Sequence, residues 1–226
     1  MRAVELSDLH KSIKKNKVLK GVNLLANTSE VIGIMGTNGC GKTTLLRIIC
    51  GLTSIDRGVV NVLGQNIGPT STLPEGIGVV FDPPGLLADL TGLQNLIVIA
   101  KIRNIMKTSA LRQLLVKVGL NPDDKRSVSK YSQGMRKRLG LAISMMEDPR
   151  LVLMDEPTNG LDRSGIAELR GWISELKSSG TCVVIVGHYI EEMTAVCDRI
   201  YTMDDGRLSQ SSGASSRTEP ASPTIR

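Results

Sequence analysis

The sequence predicts an α/β protein in which a parallel sheet carries helices on both faces. Three observations predict it. Short apolar runs such as Val31–Met35, Leu151–Met154 and Cys182–Val186 are unbroken rather than alternating, as strands buried on both faces are. Helical patterns separate these runs. The stretch 83–150 switches to helix-period spacing with no convincing strand, and reads as a helical insertion in the sheet. At 226 residues the chain has room for one large domain, or one domain with a subdomain inserted in it.

The elements follow in order. The start alternates weakly (Val4, Leu6) and then carries a basic stretch, Lys11–Lys20, expected to be a loop. Val22–Ala26 reads as a strand, and Val31–Met35 as a buried one. Thr43–Cys50 has helical character and stops at Gly51. Val59–Leu63 and Gly76–Phe81 are two more strands. Leu93, Leu96, Ile97 and Ala100, then Leu111, Leu114, Leu115 and Val118, keep the i, i+3, i+4 spacing of amphipathic helices. Gly119 and Pro122 close the second of these. Pro149 precedes the strand Leu151–Met154. A helix over about Ser164–Ser178, the strand Cys182–Val186 and a short helix Ile190–Val196 complete the pattern. Ser, Thr, Gly, Ala and Pro supply 13 of the last 18 residues, Ser209–Arg226, so this tail is expected to be disordered.

Composition removes several classes. Apolar residues at 41% and charged residues at 22% exclude wholesale disorder. No apolar run approaches the 18 or so residues of a membrane helix, and the first ten residues lack the apolar stretch of a secretory signal. A cytosolic protein is expected, with any membrane role supplied by a partner. Four scattered cysteines and two histidines, without CxxC pairs, speak against a zinc site. Residues 83–150 hold 12 Lys/Arg against 5 Asp/Glu, while the rest of the chain holds 16 against 17. Such a run is most often a solvated helical face. The alternative is a surface for anionic lipid headgroups or an acidic partner. Nucleic acid is not expected, because five aromatics in the whole chain cannot build stacking platforms.

Two motifs carry chemistry. Gly36-Thr37-Asn38-Gly39-Cys40-Gly41-Lys42-Thr43 fits G-x-x-x-x-G-K-[ST] and falls between a strand and a helix, where that motif must lie. Its glycines let backbone N–H groups curl around phosphates, and the helix N-terminus adds its positive dipole end. Lys42 reaches the β- and γ-phosphates, Thr43 offers its hydroxyl to Mg²⁺, and Thr44 continues the helix start beside them. The second motif is Leu151-Val-Leu-Met-Asp155-Glu156. It places Asp155 at the C-terminal edge of a parallel sheet, where ligands bind. Asp155 is expected to hold Mg²⁺, and Glu156 to face the attacking water as general base. The two motifs indicate ATP or GTP. A guanine-reading Asn/Thr-Lys-x-Asp stretch is absent, since Asn121-Pro-Asp-Asp124 lacks the lysine.

Between the motifs lies Tyr131-Ser132-Gln133-Gly134-Met135-Arg136-Lys137-Arg138. Read physically, a Ser followed by Gly at a helix start is an N-cap and a second anion site. The stretch resembles the signature of ABC (ATP-binding cassette) ATPases, in a variant similar to that of antibiotic and lantibiotic exporters. Ser132 and Gly134 fit the common Leu-Ser-Gly-Gly-Gln form, while Tyr131, Gln133 and Met135 depart from it. Asn159-Gly-Leu-Asp162 resembles the family's D-loop, and Val186-Gly-His188 its switch histidine. Leu90-Thr-Gly-Leu-Gln-Asn95-Leu96, Cys197–Ile200 and Asp205-Gly-Arg207 resemble other family stretches. The likeness runs from about Val4 to Leu208.

The resemblance implies a P-loop NTPase core with a parallel sheet, an N-terminal antiparallel β portion and a helical subdomain inserted over about 86–147. The cassette would span 1–208 and the tail 209–226. It implies an ATP-hydrolysing subunit of an ABC transporter, powering transport, and more in keeping with export than import, through a separate membrane permease. That subunit is expected on the cytoplasmic side of the cell membrane, bound peripherally. It implies a head-to-tail homo- or heterodimer in which Ser132, Gly134 and Asp162 of one subunit complete the ATP site of the other. A soluble ABC ATPase, as in iron–sulfur assembly, is the alternative, and a degenerate subunit that hydrolyses ATP poorly is another. Two departures stand out. Family members usually stack an aromatic near position 13 on adenine; this chain has Ile13, with His10 as a substitute. Where a Gln normally follows the strand ending at Phe81, this chain has Asp82, kept as a nucleotide and Mg²⁺ candidate.

Overall fold

The computed structural model describes residues 1–68, 74–103 and 106–211, without the side chains of Arg103 and Glu192. Ten strands form two sheets. A four-stranded sheet is built from β1 (Arg2–Ile13), β2 (Asn16–Asn27), β4 (Arg57–Val62) and β5 (Gln65–Asn66), in the order β2-β1-β4-β5 and antiparallel throughout. A six-stranded sheet takes β3 (Val31–Met35), β6 (Ile77–Val80), β7 (Leu151–Asp155), β8 (Cys182–Gly187), β9 (Arg199–Asp204) and β10 (Arg207–Gln210), in the order β10-β9-β3-β8-β7-β6. All its pairs are parallel except β9 with β10. Six α-helices connect them: α1 (Lys42–Ile49), α2 (Gly92–Arg103), α3 (Thr108–Lys117), α4 (Gln133–Ser144), α5 (Arg163–Ser178) and α6 (Ile190–Thr194).

The unbroken apolar runs divide between two cores by residue parity, as a two-sided sheet requires. Ile32, Ile34, Leu151, Leu153, Val184 and Val186 pack with α1 and the inner face of the antiparallel sheet. Val31, Val152, Met154, Val183 and Ile185 pack on the other face, with residues of α2 to α6. These side chains are fully or almost fully buried, and each contributes roughly 1.5–3 kcal/mol by leaving water. Between β6 and β7 the described chain forms α2, α3, a 3-10 turn at Val128–Lys130 and α4. The last of these lies so close to β6 that a Cβ on Gly78 would overlap the Ser144 carbonyl oxygen.

Two expectations are corrected. The basic stretch Lys11–Lys20 is not a loop. It belongs to a long hairpin, with Ile13 paired to Asn16 across a two-residue turn at Lys14-Lys15. Both turn residues have positive φ, 47° and 70°, the geometry that matches strand twist in tight hairpins. A Lys-Lys pair carries none of the usual Asn-Gly signal for it. The ordered chain also extends further than composition suggested. Ser209 and Gln210 pair with Thr202 and Tyr201 in the β9–β10 hairpin, and the Ser211 hydroxyl bonds that of Thr202. The rest of the expected tail, 212–226, lies outside the described residues.

Candidate functional site

The strand register puts the four candidate segments side by side. Met35 lies level with Gly187, Asp155 with Val186, and Val80 with Met154. The chain therefore leaves β3 into Gly36, β6 into Phe81-Asp82, β7 into Glu156 and β8 into His188 along one carboxyl edge, where open α/β sheets bind ligands. A cleft of about 480 Å³ opens there, lined by Asn38, Gly39, Gly41, Lys42, Thr43, Thr44, Asp82, Asp155 and Glu156, and by Ile13, Lys14, Asn16 and Val18 of the β1–β2 hairpin.

The Gly36–Thr43 loop owes its shape to contacts that allow no side chain. A Cβ on Gly36 would overlap the Met203 carbonyl oxygen, and one on Gly41, at φ 115°, would lie 2.9 Å from Leu19 and 3.0 Å from the Val18 carbonyl oxygen. Lys42 is 6% exposed. Its ammonium donates to the carbonyls of Gly36 at 2.6 Å and Thr37 at 3.0 Å and stands 3.9 Å from the Glu156 carboxylate. The Thr43 hydroxyl donates to Asp155 Oδ2 at 2.9 Å. Asp155 is 5% exposed, and burial raises its carboxyl above the ordinary range against the opposing Thr43 hydrogen bond. Cys40 is buried within the loop.

Glu156 turns the chain at φ 46°, a left-handed conformation that costs a non-glycine residue on the order of 1–3 kcal/mol. Four hydrogen bonds hold it. Its N–H donates to the Val186 carbonyl at 2.9 Å, its Oε2 lies 2.9 Å from His188 Nδ1, and its carbonyl accepts from Lys137 Nζ at 2.6 Å and from the Asn159 N–H at 3.2 Å. A carboxylate accepts only, so His188 Nδ1 carries the proton in this contact. Asp82 lines the same cleft, with its Oδ2 3.4 Å from Lys137 Nζ and 3.4 Å from Asn159 Nδ2.

Ser132, Gly134 and Asp162 are not brought to this cleft. With Gln133, Gly160 and Arg126 they line a separate concavity of about 670 Å³. Ser132 Oγ caps α4 by accepting the Met135 N–H at 3.2 Å, and Asp162 caps α5 by accepting the Gly165 N–H at 2.8 Å. Ile13 is at the lip of the cleft and 44% exposed. His10 does not reach the cleft; it bonds Asp8, which also pairs with Arg57. Four cations of the basic middle segment have carboxylate partners, in the Arg112–Asp123, Lys117–Glu175, Arg126–Asp124 and Arg138–Glu168 pairs.

Lys137 is the residue that sequence reasoning passed over. It is 3% exposed, and burial holds its ammonium below the usual lysine range while the facing Asp82, Glu156 and Asp155 carboxylates work against that shift. A signal existed: Lys137 lies four residues before the buried Leu141, on the inward stripe of its helix, where a cation needs a partner.

Known proteins resemble this chain in sequence and in fold. The profile described as ABC transporter matches residues 19–159. The bacitracin transport ATP-binding protein BcrA of Enterococcus faecalis is 35% identical over 207 residues, covering 91% of this chain and 67% of that protein. The lantibiotic transport ATP-binding protein SrtF of Streptococcus pyogenes is 35% identical over 205 residues, covering 91% and 88%. Among solved structures, the ADP conformation of an ATP-binding cassette of an ABC transporter superposes with a TM-score of 0.80 at 26% identity, covering 92% of this chain and 90% of that one. The transport names carried by these relatives favour a transporter subunit over a soluble iron–sulfur assembly ATPase. The Gly36–Thr43 loop, the carboxylate edge and the Ser132-capped helix thus sit on a fold and a sequence shared over nine-tenths of the chain, and the protein belongs to the ABC transporter family as an ATP-hydrolysing, ATP-binding subunit.

Proposed function

We propose that ATP lies in the 480 Å³ cleft with its phosphates on Gly36–Thr43, and that Glu156 is the general base for its hydrolysis. The observation that carries this reading is the convergence of Lys42, Thr43, Asp155, Glu156 and His188, joined by the Thr43–Asp155 and His188–Glu156 hydrogen bonds. Lys42 balances charge on the β- and γ-phosphates. Glu156 accepts the proton of the attacking water, and His188 orients its carboxylate. Ile13 gives adenine an apolar contact where an aromatic would stack. The donors suit Mg²⁺: a hydroxyl and a carboxylate oxygen 2.9 Å apart are hard ligands that leave the remaining positions to phosphate and water. Asp82 is within the same cleft as a further oxygen donor. When bound, Mg²⁺ supplies charge neutralisation at the phosphates.

The second concavity supports a head-to-tail pairing with another copy or a different ABC subunit. Ser132 and Gly134 form an anion-binding helix start at α4, and Asp162, the cap of α5, lines the same concavity. The permease would be a further chain, meeting this one where the helices after β6 adjoin the Asp82 loop. No described helix is long and apolar enough to cross a membrane, which is in keeping with peripheral attachment at the cytoplasmic face. The bacitracin and lantibiotic transport relatives support export as the direction. Size-exclusion chromatography with ATP and Mg²⁺ tests the pairing. Glu156→Gln should accumulate a closed dimer, and Ser132→Arg should bind ATP as a monomer. A wholly monomeric Glu156→Gln protein would point instead to a different ABC subunit as the partner.

A further inference from the structure

Besides the N–H of Asn159, three residues away in the chain, three groups hold Glu156 by hydrogen bonds, and two of them, Val186 and His188, come from the neighbouring strand β8 or directly follow it. The third comes from elsewhere. Lys137 stands on α4, in the second turn after the Ser132 cap, and reaches across to the carboxyl edge of the sheet. Its ammonium donates to the Glu156 carbonyl at 2.6 Å and lies 3.4 Å from Asp82 Oδ2. Three carboxylates, Asp82, Asp155 and Glu156, line this edge, and two buried ammoniums face them. Lys42 is committed to the phosphate loop. Lys137 is the cation that balances Asp82, the acidic residue standing where a neutral amide would serve.

We propose that Lys137 is a positioning residue for ATP hydrolysis: paired with Asp82 and bonded to the main chain of Glu156, it sets where the Glu156 carboxylate stands relative to the phosphate loop. The inference rests on the reading of Glu156 as the base. It predicts a division of labour. The phosphate loop binds nucleotide without Lys137, whereas the chemical step depends on it. It also predicts that the two charges act as a unit. Removing Asp82 leaves the buried Lys137 ammonium without the carboxylate 3.4 Å away, and removing Lys137 leaves the partly buried Asp82 without its cation, while removing both leaves a neutral pair.

The experiment is a double-mutant cycle on the full chain with ATP and Mg²⁺: wild type, Lys137→Gln, Asp82→Gln and the double variant. Lys137→Arg and Glu156→Gln serve as references. The readouts are kcat, KM and the melting temperature without nucleotide. Lys137→Gln should lower kcat about 10–100-fold, the range for residues that orient a ligand from behind it. Its KM should stay within about threefold, because uniform binding is untouched. The double variant should recover much of the lost kcat. Lys137→Arg keeps the charge but not the donor geometry at the Glu156 carbonyl. It should lose kcat without KM, and it replaces Lys137→Gln in the cycle if that variant does not fold. The proposal is overturned if the Lys137 variants lower only the melting temperature and leave kcat at the wild-type value. It is equally overturned if the double variant loses the product of the two single losses. Equal turnover by wild type and Glu156→Gln would remove the base assignment itself, and this inference with it.

Discussion

The two sheets carry their charges in opposite ways. On the antiparallel sheet Asp8 pairs with His10 and Arg57, Lys11 with Asp56, and Lys20 with Asp205 of the β9–β10 turn, and at least one partner of each pair is in contact with water. At the carboxyl edge of the parallel sheet Lys42, Lys137 and Asp155 are almost fully buried and meet partners from separate segments. Exposed pairs are worth about 0–1 kcal/mol, because water already solvates both ions. Buried ones are expensive to assemble and more expensive to break, about 3–5 kcal/mol when one partner goes. A protein does not gather desolvated charge at a strand edge for stability, since apolar packing would do that better. The contrast therefore separates scaffold from candidate site without reference to any motif.

The sharpest way to break the contrast is at Lys42. Lys42→Ala removes the charge that faces the phosphates, so ATP binding by a folded variant should disappear from the micromolar-to-millimolar range. Equilibrium binding at matched thermal stability checks this, and unchanged affinity would remove the phosphate-loop assignment. Glu156→Gln comes next. It should bind ATP but hydrolyse it about 10²–10⁴-fold more slowly, the usual scale for a lost general base. His188→Ala should also slow turnover, because the Glu156 carboxylate loses its 2.9 Å anchor. A His188→Ala protein with wild-type kcat would mean that the anchor plays no part.

Asp155 sharpens the comparison by setting stability against function. Its carboxyl is raised above the ordinary value of 3.8, so the folded chain holds that proton more tightly than the unfolded chain. Stability from this group is greatest at low pH and falls as pH climbs from 3.8 through the raised value. Asp155→Asn lacks that loss. Without nucleotide, its melting temperature relative to wild type should rise with pH over this window and stay higher at neutral pH, while Mg²⁺-dependent hydrolysis drops. The exposed Asp8, Asp56 and Asp205 shift the opposite way in both proteins and cancel from the difference. A melting difference independent of pH would contradict the burial of charge at Asp155. The smallest effect belongs to the exposed pair of Lys20 on the antiparallel sheet with Asp205 of the β9–β10 turn. Lys20→Ala and Asp205→Asn should change stability by no more than about 1 kcal/mol and leave hydrolysis untouched. A large loss in either would erase the distinction between the sheets.

The parts of this molecule written in local pattern were legible before the structure. Unbroken Val/Ile/Leu runs located β3, β7 and β8, and the glycine spacing before Lys42 located the loop between β3 and α1. What was hidden depended on geometry that local pattern does not encode. Lys14-Lys15 turns a hairpin in left-handed conformations that neither residue advertises. The two-residue β5 is too short to carry a period. Ser209 and Gln210 belong to a strand only because β9 offers an edge to pair with. Lys137 finds Asp82 55 positions away in the chain, and no window over the sequence joins them. The candidate residues were each named by sequence, and the resemblance already set Ser132, Gly134 and Asp162 apart, but the concavity they share with Arg126 and Gly160 was visible only in three dimensions.

The close seating of Gly36 and Gly41 has a thermodynamic consequence. One is pressed on the backbone of β9 and the other on that of β2, so strands from both sheets hold the phosphate loop like the halves of a mould. A loop cast in advance has little conformational freedom left to surrender when an anion arrives. Calorimetry on the isolated subunit should accordingly find a small heat-capacity change for a nucleotide triphosphate, because little apolar surface is newly covered. A large change would then report the meeting of two subunits rather than the filling of one.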